Sequence, residues 1–497
     1  MRSHPTRWRL AAIAAIGALA LASCAPGGSA TSSTSQQNRT SSTASGQTDS
    51  GASQSDGSGA GDAGSVSGSA SAAGSAGASA SGSGVAVSTD AASIGDVTLT
   101  VWDQETTPGI SDSLDQLNKE FHSKYPNITV NRVVRSGTDL RTTLKLALTG
   151  TNPPDVAQAN QGFADMAAYV KAGLLTDLGP YEKAYGWDKR IPSSQLALDS
   201  VTPDGSALGS GNLYGVSITG EVVGVFYNKK ILSQLNLPVP DSVQTLESDL
   251  PKIKRAGTLP ISYGDQNKSP GIHIWGITLV PALGYQKIAD LVFGRSGSWA
   301  DPTVVQSATT VADWAKKDYL TPGYNGINSN SAAEAFGQGK AAFFLGGVWN
   351  QDAIQKGLGD DAGFVVLPQK PGGDLVAMGG VGMGWAIPTK AAHKTAAAAY
   401  IDFISSAHAM TVLQQNNQLP AVPDSNAASD SGTLAGDILS AWNKLTAANG
   451  LVPYIDWSTP TMYDTISANL QKLMAGQEDG DAFGKALEAD SAAFYHK

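Results

Sequence analysis

The sequence has little of the chemistry on which disulfides, metal sites and common catalytic motifs depend. Its 497 residues include one cysteine, Cys24, and six histidines. A single cysteine excludes an intramolecular disulfide and a zinc site built on several thiolates. The histidines form no HExxH pair, and the chain beyond residue 95 lacks GxSxG, P-loop and GxGxxG motifs. We therefore predict no metal, no cofactor, no catalytic residue and a protein that is not an enzyme.

Basic charge and long apolar runs are scarce as well. Acidic residues outnumber basic ones by 43 to 33, and the formal net charge is -10. Nucleic acids are bound through basic surfaces, so this balance argues against a nucleic-acid partner. The N-terminal apolar run, Leu10 to Ala22, has roughly 13 residues, fewer than the ~18–20 that span a bilayer. Such a run is typical of a secretory signal peptide rather than a membrane helix.

The residues around this run indicate export followed by lipid attachment. Three arginines precede it, and it ends in Leu21-Ala22-Ser23-Cys24, which resembles the bacterial lipobox. We expect residues 1–23 to be a lipoprotein signal peptide and the acylated Cys24 to hold the protein to the bilayer at the extracellular face of the cell membrane. Lipidation also accounts for an unpaired thiol in an exported protein. The alternative is a signal peptide with a cysteine near its cleavage site by chance.

The segment that follows, residues 24–95, consists almost entirely of Ser, Gly, Ala and Thr. Such a composition buries too little apolar surface to offset its ordering entropy, so we expect a disordered tether. A Gly/Ser coil of some 70 residues has a root-mean-square reach of roughly 45 Å. This reach suits a thick cell wall and favours a Gram-positive source.

The remaining residues, 96–497, are too many for one core, so two lobes are expected. They begin with predicted strands that alternate with helices. The strands are Val97–Trp102, Ile128–Val134 and Pro154–Gln158, and the helices are Ile110–Tyr125 and Leu140–Leu148. This alternation predicts parallel α/β layers, in which ligands bind beyond the carboxyl ends of the strands. The polar residues at those ends are Asp103, Gln104, Glu105, Asn160 and Gln161.

Five further blocks follow along the chain. They are Leu213 to Lys230 with Glu221, Ala335 to Trp349, Gly379 to Pro388, Ala396 to Ser405, and Gln418 to Ala421. Their residues and their order resemble the extracellular solute-binding proteins of carbohydrate ABC importers (family 1). The resemblance implies a type II periplasmic-binding-protein-like fold with two α/β lobes. One lobe would comprise 96–218 plus 379–425, and the other 219–378 plus 426–497. Ser217–Glu221, Gly380–Trp385 and a segment near Pro420 would cross between them.

The resemblance also implies a function. Such a protein captures a neutral oligosaccharide between its lobes, closes around it, and delivers it to ABC permease subunits in the membrane. We expect it to act as a monomer. A secreted glycoside hydrolase is the main alternative, because two suitably placed carboxylates would suffice and the sequence has many. A wall-associated adhesin would fit the tether but not the alternating α/β pattern.

Sugars present hydroxyls and an apolar C–H face, so the candidate ligand-binding residues are polar or aromatic. Besides the strand-end residues, they are Glu221, Gln266, Asn267, Trp275, Trp349, Gly380 and Trp457. The resemblance places Glu221 and Gly380 at the crossings and Trp349 at a position that often supplies a stacking ring. Each has a structural alternative: an ion pair for Glu221, core packing for the tryptophans, and a solvated turn for the strand-end residues.

Overall fold

The computed structural model describes residues 87–423 and 432–496, which contain twelve strands and seventeen α-helices. The strands are β1 (Val97–Asp103), β2 (Ile128–Val134), β3 (Val156–Ala159), β4 (Ser200–Val201), β5 (Asn212–Leu213), β6 (Gly220–Asn228), β7 (Leu259–Ser262), β8 (Ala341–Gly347), β9 (Ala362–Val365), β10 (Ala377–Val381), β11 (Gly384–Ala386) and β12 (Leu451–Val452). The helices are α1 (Pro108–Lys124), α2 (Gly137–Thr149), α3 (Met166–Lys171), α4 (Gly179–Tyr185), α5 (Ser193–Leu198), α6 (Lys229–Gln234), α7 (Val243–Arg255), α8 (Ser269–Leu283), α9 (Tyr285–Val292), α10 (Pro302–Lys316), α11 (Ser329–Gly337), α12 (Gln351–Leu358), α13 (Lys394–Ile404), α14 (Ala407–Gln415), α15 (Leu434–Ala447), α16 (Met462–Met474) and α17 (Gly480–Tyr495).

The first lobe is built on a four-stranded sheet in the order β11-β3-β1-β2. β1 runs parallel to β2 and β3, whereas β11 is antiparallel to β3. Helix α1 covers the sheet with the apolar stripe that its sequence predicts, since Leu114, Leu117 and Phe121 are fully buried. Helices α13 and α14 contribute to the same core. The carboxyl ends of β1 and β3 therefore meet at one edge of this lobe.

The second lobe is built on a six-stranded mixed sheet in the order β12-β10-β6-β8-β7, with β9 also paired to β6. Its central strand, β6, is antiparallel to β8, β9 and β10. Helices α7 to α10, α16 and α17 pack on this sheet through a core that includes the fully buried Trp275 and Phe483. Strands of both lobes thus end next to the segments that join the lobes.

Three segments join the lobes: residues 216–220, 381–385 and 418–421. We call them the crossing segments. They lie side by side, and backbone hydrogen bonds of 2.8–2.9 Å tie the first segment to the other two. These bonds join Gly382 to Thr219, Gly220 to Leu419, and Ala421 to Ile218. The joint between the lobes is therefore a small hydrogen-bonded strip rather than a set of separate linkers.

Two of the predicted boundaries differ from the structure. The first lobe was expected to resume at residue 379, but β10 pairs with β6 and β12 of the second lobe, so it resumes at β11. The tether was expected to continue to residue 95. Instead Ala91 is 1% exposed, and the side chain of Asn127 donates a 2.9 Å hydrogen bond to the Ala91 carbonyl. Cys24, the signal peptide and the predicted boundary at 425 lie outside the described residues.

Within residues 87–423 and 432–496, no single helix is long and apolar enough to cross a membrane. Helices α13 and α14, which meet at a bend of 55°, reach that length and apolar composition only when taken together.

Candidate ligand-binding site

A cleft of about 920 Å³ separates the two lobes and is lined by residues from both. Its floor is formed by Thr219 and Gly220 of the first crossing segment, together with Glu221. Nine of the residues predicted from the sequence line it. They are Gln104, Glu105, Asn160 and Gln161 from the first lobe, and Glu221, Gln266, Asn267, Trp349 and Trp457 from the second.

Asp103 does not line the cleft, contrary to the expectation for a strand-end carboxylate. It is fully buried and forms a two-point ion pair with Arg132 of β2, with N–O distances of 2.8 Å to both of its oxygens. The Arg132 guanidinium also donates to the backbone carbonyl of Glu105, at 3.0 Å. Asp103 therefore orders the loop after β1, and Glu105, two residues further on, reaches the cleft.

Trp275 and Gly380 do not line the cleft either. Trp275 is fully buried in α8, where its indole N–H donates to the Ser307 hydroxyl (2.8 Å) and its ring packs edge-on against Phe483 (5.1 Å between centroids). Gly380 lies within β10 opposite Glu221, at a φ of +146° that side chains rarely adopt. Both residues support the second lobe and neither faces the ligand space.

Two glutamates face the cleft and are paired with neutral donors. The amide of Gln158 donates to Glu105 (2.7 Å), and the hydroxyl of Tyr454 donates to Glu221 (2.8 Å). Burial raises the pKa of each glutamate to about 7, and the Glu105 charge adds to the shift at Glu221. These groups can accept hydrogen bonds from hydroxyls without a cation in direct contact.

An aromatic wall formed by Trp349, His273, Tyr454 and Trp457 lines the second-lobe face of the cleft. Neighbouring ring centroids are 5.0 Å apart for His273 and Trp349, 6.2 Å for His273 and Tyr454, and 5.5 Å for Tyr454 and Trp457. Trp349 is partly exposed and its ring folds back over Gly347, where an added Cβ would lie 2.0 Å from the ring. The rings are inclined to one another by 43–68°, so the wall offers several aromatic surfaces rather than one plane to the C–H face of a sugar.

The first-lobe amides have partners inside the protein. Gln161 is 3% exposed, and its side chain donates to Asp199 and to the Gly382 carbonyl, both at 2.8 Å. Burial raises the pKa of Asp199 to about 7. Asn160 donates to Asp165 at 3.1 Å. Gln161 therefore ties the first lobe to the second crossing segment, in addition to lining the cleft.

A cluster of charged residues spans the cleft near Tyr463. The Arg141 guanidinium of α2 lies 3.9 Å from the centre of the Tyr463 ring, and its Nε is 3.6 Å from Asp165. Burial raises the pKa of Asp456 to about 6, opposed by the positive charge of Arg141. Arg141 comes from the first lobe and Tyr463 and Asp456 from the second, so this cluster connects the two.

Sequence reasoning missed several lining residues for identifiable reasons. Arg141 was assigned only to a predicted helix, and His273 only to a dispersed set of histidines without metal spacing. Their places in the cleft depend on distant partners, Tyr463 for Arg141 and Trp349 for His273, and local patterns do not carry that information. Within the described residues, no group of three or more His, Cys, Asp or Glu is arranged to hold a metal ion.

Known proteins resemble this chain in sequence and fold. The family model described as bacterial extracellular solute-binding protein matches residues 107–411. An uncharacterized ABC transporter extracellular-binding protein of Pyrococcus horikoshii is 27% identical over 321 residues, which are 63% of this chain and 68% of the relative. The multiple sugar-binding protein of Streptococcus mutans is 23% identical over 306 residues, 60% of this chain and 69% of the relative.

Solved structures with a similar fold agree with the sequence relatives. A solved structure titled chitin oligosaccharide binding protein superimposes with a TM-score of 0.69 at 23% identity, covering 80% of this chain and 98% of that one. At this identity the likeness concerns the fold alone, and it confirms the predicted two-lobed α/β architecture. The family match extends over more than half of the chain. The protein therefore belongs to the family of bacterial extracellular solute-binding proteins.

Proposed function

We propose that this protein captures a neutral oligosaccharide outside the cell and delivers it, as a monomer, to the permease subunits of an ABC transporter. The observation that carries the proposal is the composition of the cleft between the lobes. An aromatic wall that includes Trp349 and Trp457 shares this cleft with the hydrogen-bonding groups of Gln104, Glu105 and Asn160. Stacking rings and hydroxyl-binding groups are the two features that a sugar site combines.

The charge distribution supports a neutral ligand. A ligand carboxylate would be repelled by Glu105 and Glu221, whose direct partners are an amide and a phenol. The guanidinium of Arg141, which also lines the cleft, is already shared between Asp165 and the face of Tyr463. Uncharged hydroxyls can bind these glutamates in either protonation state, because a carboxyl group accepts a hydrogen bond in both.

Delivery would follow from closure of the lobes. A ligand that contacts both faces of the cleft stabilises the closed arrangement, which the permease then recognises. The crossing segments provide the joint about which the lobes would turn. The name of the Streptococcus mutans relative, a multiple sugar-binding protein, agrees with a sugar as the solute.

The test is a thermal-shift screen of the mature protein against xylotriose, maltotriose, raffinose and chitotriose, with uronic-acid oligosaccharides as charged controls. A bound neutral sugar should raise the melting temperature in proportion to ln(1 + [L]/Kd). Incubated sugar should remain intact by chromatography. No shift with any neutral sugar would contradict the proposal.

The same incubation tests a glycoside hydrolase as the second candidate. Glu105 and Glu221, which line the same cleft, favour that candidate, because two carboxyl groups with raised pKa values can serve acid–base chemistry. Release of smaller sugars, abolished by Glu221→Gln, would establish hydrolysis in place of binding.

We further propose that acylation of Cys24 and the segment after it keep the protein near its permease, at the extracellular face of a Gram-positive membrane. Tethering raises the local concentration of carrier without new contacts. Cys24→Ala should move the protein from the membrane fraction to the medium, whereas Ser23→Ala should leave it membrane-bound. A Cys24→Ala protein that stays with the membrane would contradict the lipid anchor.

A further inference from the structure

Many polar side chains of the cleft already have partners within the protein. Tyr454 donates its hydroxyl proton to Glu221, and Gln161 donates to Asp199 and to a backbone carbonyl. Asn267 forms two hydrogen bonds with Ser329. Such groups shape the cleft and stiffen it, but their donors are not free to select among ligands.

His273 differs from these groups. Within residues 87–423 and 432–496, its imidazole has no hydrogen-bond partner, although it lines the cleft from the first turns of α8. Its ring stands edge-on to Trp349, with centroids 5.0 Å apart and planes at 63°. Burial lowers the pKa of His273 to about 4, so at neutral pH the ring is uncharged and has one N–H donor and one acceptor nitrogen.

We propose that His273 is a specificity-determining residue that hydrogen-bonds a ring hydroxyl of the sugar unit stacked on Trp349. The inference rests on the proposed function and names one of the groups that select the sugar. A pyranose stacked on the Trp349 ring has its hydroxyls around the rim of the stack, and the His273 ring, inclined by 63° with its centre 5.0 Å from that of Trp349, lies close enough to bond one of them. A sugar with this hydroxyl removed or inverted would leave a buried imidazole nitrogen unpaired. Sites built around a hydroxyl reject analogues for this reason.

The experiment uses the panel sugar that gives the largest shift, together with its monodeoxy analogues. With the wild-type protein, removal of one hydroxyl should weaken binding by roughly tenfold. His273→Phe keeps the edge contact with Trp349 but has no nitrogen. It should bind the parent sugar roughly tenfold more weakly and no longer distinguish it from that one deoxy analogue.

The control is His408→Phe, at a histidine that is 58% exposed and bonded to Glu120. It should bind both sugars as the wild type does. His273→Leu, which also lacks a polar side-chain atom, serves if the Phe variant fails to fold. A second measurement needs no variant: the imidazole ¹⁵N shifts of His273 should change when sugar is added to the wild-type protein.

Two failures can be told apart. If no sugar binds the wild-type protein, the proposed function and this inference both fall. If sugar binds but the His273→Phe or His273→Leu variant retains the wild-type affinity and deoxy profile, or the ¹⁵N shifts do not move, only the role of His273 is overturned.

Discussion

At the scale of single residues, the carboxylates of the cleft show how burial sets protonation. Glu221 extends from β6 beside the crossing segments, and its bonded partner is the neutral hydroxyl of Tyr454. Without a cation in contact, the cost of desolvating the charge is only partly recovered, so its pKa is raised from 4.5 to about 7. The folded protein therefore holds a proton at Glu221 over a range of pH in which the unfolded chain has released it.

This difference predicts a pH-dependent stability with a defined sign. Because the folded state binds more protons than the unfolded state between pH 4.5 and 7, the free energy of unfolding falls as pH rises through that window. The slope from one group is at most about 1.4 kcal/mol per pH unit. Glu221→Gln resembles the protonated form, so it should match the wild type at pH 4.5 and be the more stable protein at pH 8.

Urea titrations at pH 4.5, 6 and 8 measure this effect as the difference in the free energy of unfolding between Glu221→Gln and the wild type. Glu334→Gln, at an exposed position on α11, is the matched control and should show no such trend. If the difference in the free energy of unfolding between Glu221→Gln and the wild type were the same at all three pH values, the raised pKa of Glu221 would be contradicted.

Trp349 and Trp275 allow a second prediction, because the structure gives two candidate tryptophans different surroundings. Trp349→Ala should weaken sugar binding by more than ~1 kcal/mol and lower the free energy of unfolding by less than Trp275→Ala does, since its ring packs on the core but is partly exposed in the cleft. Trp275→Ala should lower the free energy of unfolding by about 3–5 kcal/mol, because its ring is fully buried. Isothermal titration and urea unfolding distinguish the two. Unchanged affinity in Trp349→Ala would assign that ring to the core.

The same pair shows where sequence reasoning stops. Each tryptophan lies near glycines and apolar residues, so local composition does not separate a cleft ring from a core ring. What separates them is tertiary: Trp275 meets Phe483, some 200 positions away, whereas Trp349 meets His273 at the cleft. The choice of residue types for a sugar site could be made from sequence, and the choice among tryptophans could not.

At the scale of elements, the turn after β8 determines where Trp349 points. The strand ends in Gly346 and Gly347, and a 3-10 helix at Val348–Asn350 carries the tryptophan back over the strand end. The ring then lies so close to Gly347 that an added Cβ would be 2.0 Å from it. Gly347 has a φ of -89°, which any residue can adopt. Glycine is therefore required here because a Cβ has no space, and not because of the backbone conformation.

Gly347→Ala should therefore displace the Trp349 ring and weaken sugar binding as Trp349→Ala does. The crowding should cost about 1–3 kcal/mol of unfolding free energy. Gly326→Ala, at a 3-10 glycine with no atom within 4 Å of the added Cβ, should leave both binding and stability unchanged. Isothermal titration and the tryptophan fluorescence spectrum report the displacement. If Gly347→Ala bound sugar with wild-type affinity, the close contact between Gly347 and the Trp349 ring would not be required to position that ring.

Elements were predictable where their partners are close in sequence. The first strands and helices follow their apolar periodicity, and β2 matches its predicted range of Ile128–Val134. The boundary at β10 was wrong because its pairing with Glu221 joins residues about 160 positions apart. A glycine-rich strand has little side-chain pattern from which its sheet could be inferred.

At the scale of the whole molecule, the described residues bring the lobes into contact outside the crossing segments as well, and the Arg141–Tyr463 contact is not the only one. Phe494, near the end of α17 on the second lobe, packs against Phe163 of the first lobe, with ring centroids 4.9 Å apart. Asp352, in the first turn of α12, accepts a 2.9 Å hydrogen bond from the backbone N–H of Gly109 and a 3.0 Å bond from the side chain of Gln418. Gly109 lies in the first turn of α1, where unpaired N–H groups favour a carboxylate.

Asp352 should therefore stabilise the arrangement of the lobes before any ligand arrives. Asp352→Ala removes the carboxylate that accepts from the Gly109 N–H and the Gln418 amide. The free energy of unfolding should therefore fall by about 1–3 kcal/mol. The ligand-free protein should also sample wider openings, which small-angle scattering would detect as a larger radius of gyration. Added sugar should shift the variant back toward the wild-type value, because the ligand bridges the same lobes. Asp360→Ala, at an exposed aspartate beyond the other end of α12, is the control and should leave the radius unchanged. If Asp352→Ala kept the wild-type radius and stability, Asp352 would have no part in setting the distance between the lobes.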